Sequence, residues 1–249
     1  MSQKATFETV QKLIVSLKKK LHTFKNDFPE LLEFIEGLDS INFSSTHQLV
    51  GRVNQSKDIS ELLNLVCLNQ GNHQLNGLDY RHITNYNWMN IYHGIDTKHS
   101  FIDGMFAARF LGLDGYYAST SISAGLMLIL PGVIYPFHSH SVKEFYYCLS
   151  GKLLIRHNIC GEKFSLAEGQ ISVTPEGKLH SLEVIGKKPV LLVYSWLGNL
   201  DTPITIWEKM KSGRWQGYTW KRFPGQEWKS SGLQQLSNEE FLGSFDKNF

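Results

Sequence analysis

The run Gly132-Val133-Ile134-Tyr135-Pro136-Phe137-His138-Ser139-His140-Ser141-Val142-Lys143-Glu144-Phe145-Tyr146-Tyr147-Cys148-Leu149-Ser150-Gly151 sets two histidines, a glutamate and three tyrosines between two glycines. His138 and His140 stand at i and i+2, so on a strand both project to the same face. After the turn-like Ser141–Lys143, Glu144 can project beside them from the next strand. Two imidazoles and a carboxylate with an open face suit one divalent transition metal ion such as Zn, Fe, Mn or Ni. His180 follows the turn residues Pro175-Glu176-Gly177, which can return a fourth ligand to the same interior. Random order would give about 0.02 copies of His-x-His with Glu four residues later in a chain of this composition, so the cluster reads as a site. The other histidines (His22, His47, His73, His82, His93, His99 and His157) lack such spacing and read as ordinary core or surface residues.

Outward from this run the texture is β-rich. Short apolar runs cover Gly125–Leu130, Glu144–Leu149, Lys152–His157, Gln170–Thr174, Leu182–Ile185, Val190–Trp196 and Thr202–Trp207. Turn pairs such as Pro131-Gly132, Ser150-Gly151 and Glu168-Gly169 separate them. Short strands at near-regular spacing predict an all-β sandwich or barrel. The first third is helical instead. Phe7, Ile14 and Leu21 repeat every seven residues, as do Val10, Leu17 and Phe24. This a/d seam fits either a helix packed on its own domain or a homodimerising coiled coil. Asn26, Asp27 and Pro29 signal the start of a second helix, which Gly37 can close. A third helix is expected over Ser60–Leu68, and Phe101–Leu111 fits helix or strand equally. The expected division is a helical extension over 1–110, a barrel over 111–212, and a tail over 213–249 whose Trp215, Trp220 and Trp228 fold back onto the barrel.

Composition excludes several classes. The 249 residues are 42% hydrophobic and 19% charged, ordinary for a globular chain. With 25 Lys+Arg against 23 Asp+Glu the net charge is +2, so no nucleic-acid footprint is expected. Lys18-Lys19-Lys20 sits on the heptad helix as a solvated face. Cys67, Cys148 and Cys160 form neither a disulfide framework nor a zinc knuckle, and read as small buried hydrophobes. No apolar stretch is long enough for a membrane span and no signal peptide is visible, so a cytoplasmic location is expected.

Two tyrosines accompany the histidines. Tyr146 lies two residues after Glu144, on the same strand face, and Tyr135 lies five before His140. A nearby metal can lower a phenol from its ordinary value of about 10. The phenolate could then abstract a proton alpha to a metal-bound carboxylate. Both also fit as packing residues at a barrel mouth.

The spacing Gly132-x5-His138-x-His140-x3-Glu144-x6-Gly151 fits the first motif of the cupin superfamily. Gly169-x5-Pro175-x-Gly177-x2-His180 fits the second, except that Val184 stands where Asn is usual. The chain therefore resembles the cupins. That implies a mainly β fold with some α: a single double-stranded β-helix, jelly-roll-like barrel with a metal in its mouth, here behind an N-terminal helical extension. Gly125–Gly132, Tyr135-Pro136, His138-Ser139-His140 and Glu144-Phe145-Tyr146, with Asn87-Trp88 ahead of the barrel, are similar to the cupin-type dimethylsulfoniopropionate lyases over Tyr86 to Trp207.

This resemblance implies metal ligands at His140, Glu144, Tyr146 and His180, with His138 beside the metal as a further ligand or in the chemistry. It implies Tyr135 as general base and a small carboxylate as substrate, cleaved by β-elimination to dimethyl sulfide and acrylate. Trp196 and Trp88 are the aromatic candidates for binding it, Trp196 through a cation–π contact to a sulfonium, although a core position fits Trp196 as well. Lys143, which replaces a small residue of the relatives, is expected at the surface. A metal-dependent dioxygenase or isomerase, or a non-catalytic binding cupin, are the alternatives.

Overall fold

The computed structural model describes residues 3–46, 57–67, 74–75, 78–79, 83–95, 101–223 and 226–245. Its helices are α1 (Gln3–His22), α2 (Leu31–Asp39), α3 (Lys57–Cys67), α4 (Phe101–Gly104) and α5 (Asn238–Phe245). Its early strands are β1 (Gln74–Leu75), β2 (Leu78–Asp79), β3 (Trp88–Asn90), β4 (Met105–Gly112), β5 (Tyr117–Ala118), β6 (Ile122–Ile129), β7 (Ile134–His140) and β8 (Val142–Ser150). The later ones are β9 (Lys152–His157), β10 (Lys163–Ala167), β11 (Ile171–Thr174), β12 (His180–Val184), β13 (Val190–Gly198), β14 (Ile204–Lys209), β15 (Trp215–Lys221) and β16 (Lys229–Leu236). Two sheets face each other. One runs β10-β9-β12-β7-β14-β15-β16 and the other β11-β8-β13-β6-β4-β3, with β5 added beside β4. From β6 to β9 the chain changes sheet at every turn, which wraps it into the expected jelly-roll-like barrel.

The second sheet is buried on both faces, which explains its almost continuous apolar runs. Along β8, Phe145, Tyr147 and Leu149 face the helical layer, while Tyr146 and Cys148 face the barrel interior. The helices cover the outer face. Val10, Ile14, Leu17 and Leu21 of α1 and Leu31, Phe34, Ile35 and Leu38 of α2 share one core with β6, β8 and β13. Phe34 packs edge-on against Phe145, ring centroids 5.0 Å apart. The a/d seam is thus buried within the chain. Lys18 pairs with Asp39, and Lys20 lies over the rings of Phe24 and Tyr147.

Several expectations shift in detail. Gly37 does not end α2, which continues to Asp39 and is capped at Ser40. It is small because α2 lies on the barrel there: a Cβ would sit 3.0 Å from Ile122 Cδ1 and 3.2 Å from Leu197 Cδ1. The third helix ends at Cys67, and Leu68 lies outside the described residues. Phe101–Leu111 resolves into the short α4 and then β4. The tail contributes β15, β16 and α5, and it buries Trp215 and Trp228. Cys148 is buried, whereas Cys160 is exposed. Gly151 turns β8 into β9 at φ +88, and a Cβ there would meet the Pro189 carbonyl at 2.8 Å, so the motif requires glycine at this turn. Among the described residues no helix is long and apolar enough to cross a membrane.

Candidate metal centre and active site

The site forms where the two sheets meet. His138 and His140 project from β7, His180 lies directly opposite His138 on β12, and Glu144 enters from β8. One ligand atom from each of the four lies within 4.8 Å of the others, and all four side chains are buried. His140 Nε2 and His180 Nε2 are both 3.1 Å from Glu144 Oε2.

The imidazoles are oriented from behind. His138 Nδ1 meets the Pro136 carbonyl at 2.9 Å, His140 Nδ1 the Val142 carbonyl at 3.1 Å, and His180 Nδ1 the Lys178 carbonyl at 2.9 Å. A carbonyl only accepts, so each Nδ1 carries a hydrogen and each neutral ring keeps its lone pair on Nε2. Lone pairs from His140 and His180 then converge on a carboxylate oxygen, an arrangement that repels itself unless a cation sits among them. Three Nε2 atoms and one carboxylate, buried and held from behind, fit a transition-metal ion. Burial, then His180 and His140, hold His138 well below the usual histidine range, in the neutral form that ligates. Burial works against the charge of Glu144; once a cation or a proton sits between it and His140 and His180, that contact outweighs burial and holds the carboxyl below its usual range.

Around this centre lies a cavity of about 120 Å³. Tyr146 lines it with its hydroxyl bonded to Glu144, and its pKa is driven up by burial and then by that carboxylate. Trp196 also lines it. Its indole N–H donates to Glu144 Oε1 at 2.5 Å, and its ring lies 4.6 Å from that of His140. Tyr135 is stacked on His138 at 3.8 Å between ring centroids.

Strict alternation would send Tyr135 and His138, three residues apart, to opposite faces. They share the interior because β7 is bulged: His138 faces His180, yet Tyr135 faces Leu182. The extra residue falls at Pro136-Phe137, and Pro136 has no N–H to leave unpaired there. Lys143 points away from the cavity and pairs with Glu33 of α2 at 2.5 Å. Trp88 is not brought to the site. It is buried in the core beneath the helices, and its indole N–H donates to the Ile83 carbonyl at 2.8 Å. His157 closes the back of the site, bonded to Thr174 Oγ1 at 3.1 Å. His22 and His93 are exposed, and His47, His73, His82 and His99 lie outside the described residues.

The cavity also recruits residues that spacing did not single out. Tyr92, just after β3, bonds hydroxyl to hydroxyl with Tyr135 and stacks on Trp228. Burial raises both phenols above their usual range. Arg109, Asp114, Tyr194 and Arg222 also line the wall. Strand parity with Trp196 was the available signal for Tyr194, and an arginine inside the apolar run Met105–Leu111 was the signal for Arg109.

Comparison with known proteins places this geometry in a family. A family model for dimethylsulfoniopropionate lyase matches residues 67–192, just over half of the chain. The dimethylsulfoniopropionate lyase DddQ of Ruegeria pomeroyi is 28% identical over 118 residues, covering 46% of this chain and 56% of the relative. The chain thus spans little more than half the length of that curated relative. A gentisate 1,2-dioxygenase of a Ralstonia species is 31% identical over 96 residues, 39% of this chain and 26% of that one. The crystal structure of DddQ from Ruegeria pomeroyi superposes with a TM-score of 0.56 at 21% identity, over 80% of this chain and 96% of the other, so the two share a fold.

Proposed function

The chain belongs to the dimethylsulfoniopropionate lyase family, and we propose that it is a metal-dependent carbon–sulfur lyase. Its substrate on this reading is dimethylsulfoniopropionate or a similar small carboxylate, split into dimethyl sulfide and acrylate. The observation that carries this is the bulge in β7, which sets Tyr135 against His138 in the same small cavity as Glu144.

A divalent metal (Zn, Fe, Mn or Ni) held by His140, Glu144 and His180, with Tyr146 and His138 beside it, would bind the substrate carboxylate and stabilise enolate character at C2. Tyr135, as phenolate, takes the C2 proton. The C–H electron pair becomes the C2–C3 double bond, and the C3–S pair leaves with sulfur. The sulfonium takes that pair and leaves as neutral dimethyl sulfide, with no general acid needed, so the base and the carboxylate anchor carry the reaction. Tyr92 and Tyr135 share a hydroxyl–hydroxyl hydrogen bond in which either can donate; with Tyr135 as the phenolate, only Tyr92 has a hydrogen to give, and it then donates to Tyr135 Oη. Trp196 holds Glu144 in place and gives the cavity an aromatic wall.

The test is dimethyl sulfide release by gas chromatography from purified protein loaded in turn with Mn, Fe, Zn and Ni. Release is expected, and Tyr135→Phe abolishes it while metal content is kept. No release with any of the four metals would sink the substrate assignment. A dioxygenase is the second reading, favoured by the stretch shared with gentisate 1,2-dioxygenase. Oxygen uptake on an aromatic acid without sulfide release would select it.

A further inference from the structure

Four strands carry one row of cavity-facing positions. Tyr146 on β8 is paired with Tyr194 on β13, Tyr194 with Gly125 on β6, and Gly125 with Arg109 on β4. At about 4.8 Å per strand, Arg109 lies roughly 14 Å along the sheet from Tyr146, at the far end from the metal centre. Gly125 brings no side chain to the row, and a Cβ there would lie 3.0 Å from Arg109 Cα. The Tyr194 hydroxyl and the Arg109 guanidinium meet across this gap in a hydrogen bond.

Two further charges complete this end. Arg109 pairs with Asp114 just beyond β4, and Arg222, from the tail beyond β15, donates to the same Asp114 Oδ2 at 2.9 Å. All three side chains are largely buried and line the cavity. Two guanidinium groups therefore share one carboxylate oxygen, and the cluster keeps a charge of +1. The other carboxylate in the wall, Glu144, is taken up by His140, His180 and Trp196 at the opposite end. The Trp228 ring, 5.6 Å from the Arg222 guanidinium, offsets part of the cluster's charge, but no anion balances it; a buried positive charge in excess is costly, and nothing in the elimination step uses it.

We propose that Arg109 and Arg222 form an anion subsite, and that this cavity prefers a small acid with a second carboxylate at the end remote from the metal centre. The inference rests on the reading that the first carboxylate goes to the metal. Guanidinium forks match a carboxylate in shape and charge. The second acid group neutralises the cluster, a neutral end leaves it as it is, and a sulfonium end adds to it. Dimethylsulfoniopropionate on this view uses only the metal half of the cavity.

Three acids with eight non-hydrogen atoms each separate charge from size: succinate (anionic far end), 4-oxopentanoate (neutral) and dimethylsulfoniopropionate (cationic). Titration calorimetry on manganese-loaded protein is expected to rank them in that order, with succinate at least about tenfold tighter than 4-oxopentanoate. Arg222→Gln removes most of that preference, weakening succinate by far more than 4-oxopentanoate, whose neutral far end offers a guanidinium one carbonyl oxygen and no charge. Arg109→Gln does the same if β4 tolerates it, and Arg222 keeps the test open if it does not. Asp114→Asn frees both guanidinium groups and widens the preference. Succinate binding no tighter than 4-oxopentanoate, or a preference that survives Arg222→Gln, overturns the proposal. Dimethyl sulfide release tests the lyase reading separately. The subsite stands if the preference is present without release, and falls if release occurs without the preference.

Discussion

Replacing Trp196 with Phe tests what holds the metal centre together. The indole N–H donates at 2.5 Å to Glu144 Oε1, the oxygen that His140 and His180 do not contact. A hydrogen bond to a charged group contributes about 1.5–3 kcal/mol, which corresponds to about 10–100-fold in the affinity of a metal whose ligand it steadies. Trp196 is only partly buried, so water can take the vacated place, and the lower end, about tenfold, is expected. Phe keeps an aromatic face against His140, so the packing is largely preserved. Competition titration against a chromophoric chelator reads the metal affinity, and thermal melting of the metal-free protein checks that the fold is unchanged. Unchanged metal affinity together with a raised KM for dimethylsulfoniopropionate would refute the reasoning and return Trp196 to a direct contact with the sulfonium.

Three further perturbations follow from the same geometry. Tyr92→Phe removes the hydroxyl partner of Tyr135 and should lower kcat by about 10–100-fold with metal content unchanged, read by metal analysis beside steady-state kinetics. His157 should make the fold acid-sensitive: burial, then His180 and Lys178, push it down to about 4. It is neutral in the folded chain, whereas the unfolded chain takes up a proton below about 6.5. Its stabilising contribution is therefore complete above that value and is lost as pH falls from about 6.5 to about 4, by about 2 kcal/mol once its partial exposure is allowed for. His157→Asn should flatten that slope in denaturant titrations at a series of pH values. Gly37→Leu forces α2 off Ile122 and Leu197 and should cost about 1–3 kcal/mol, seen as a lower Tm.

Period-two spacing makes the candidate metal centre legible in the sequence, since β7 past its bulge, β8 and the start of β12 are regular strands that put His138, His140, Glu144 and His180 where alternation requires. Tyr135 was harder. Only pairing with β12 reveals the bulge that turns it inward, and a single strand of sequence does not carry its partner's register. Tyr92 sits in a turn and meets Tyr135 through tertiary packing alone. Trp88 shows the reverse failure: its place ahead of the barrel resembles a family layout, but the strand it lies on presents it to the helical core. The half-exposed β10, β15 and β16 show too little apolar periodicity to predict strands there.

These differences fall unevenly across the cavity. The candidate ligands and Tyr135 come from 135–180, inside the stretch that identifies the family. Tyr194, Trp196, Arg222 and Trp228 come from beyond residue 192, and two of them belong to the tail. The family match therefore covers the candidate metal-ligand set and Tyr135 whole, and the opposite end of the cavity only in part. The opposite end is completed by chain outside that match, which packs on residues inside it: Arg222 reaches back 108 residues to Asp114, and the Trp228 N–H donates to the Ile91 carbonyl at 2.6 Å beside Tyr92. A tail that closes the cavity and adds a guanidinium to it can change the acid that fits without touching the chemistry at the metal. The leaving-group end of the substrate is thus better sought by varying Arg222 than by comparison with relatives.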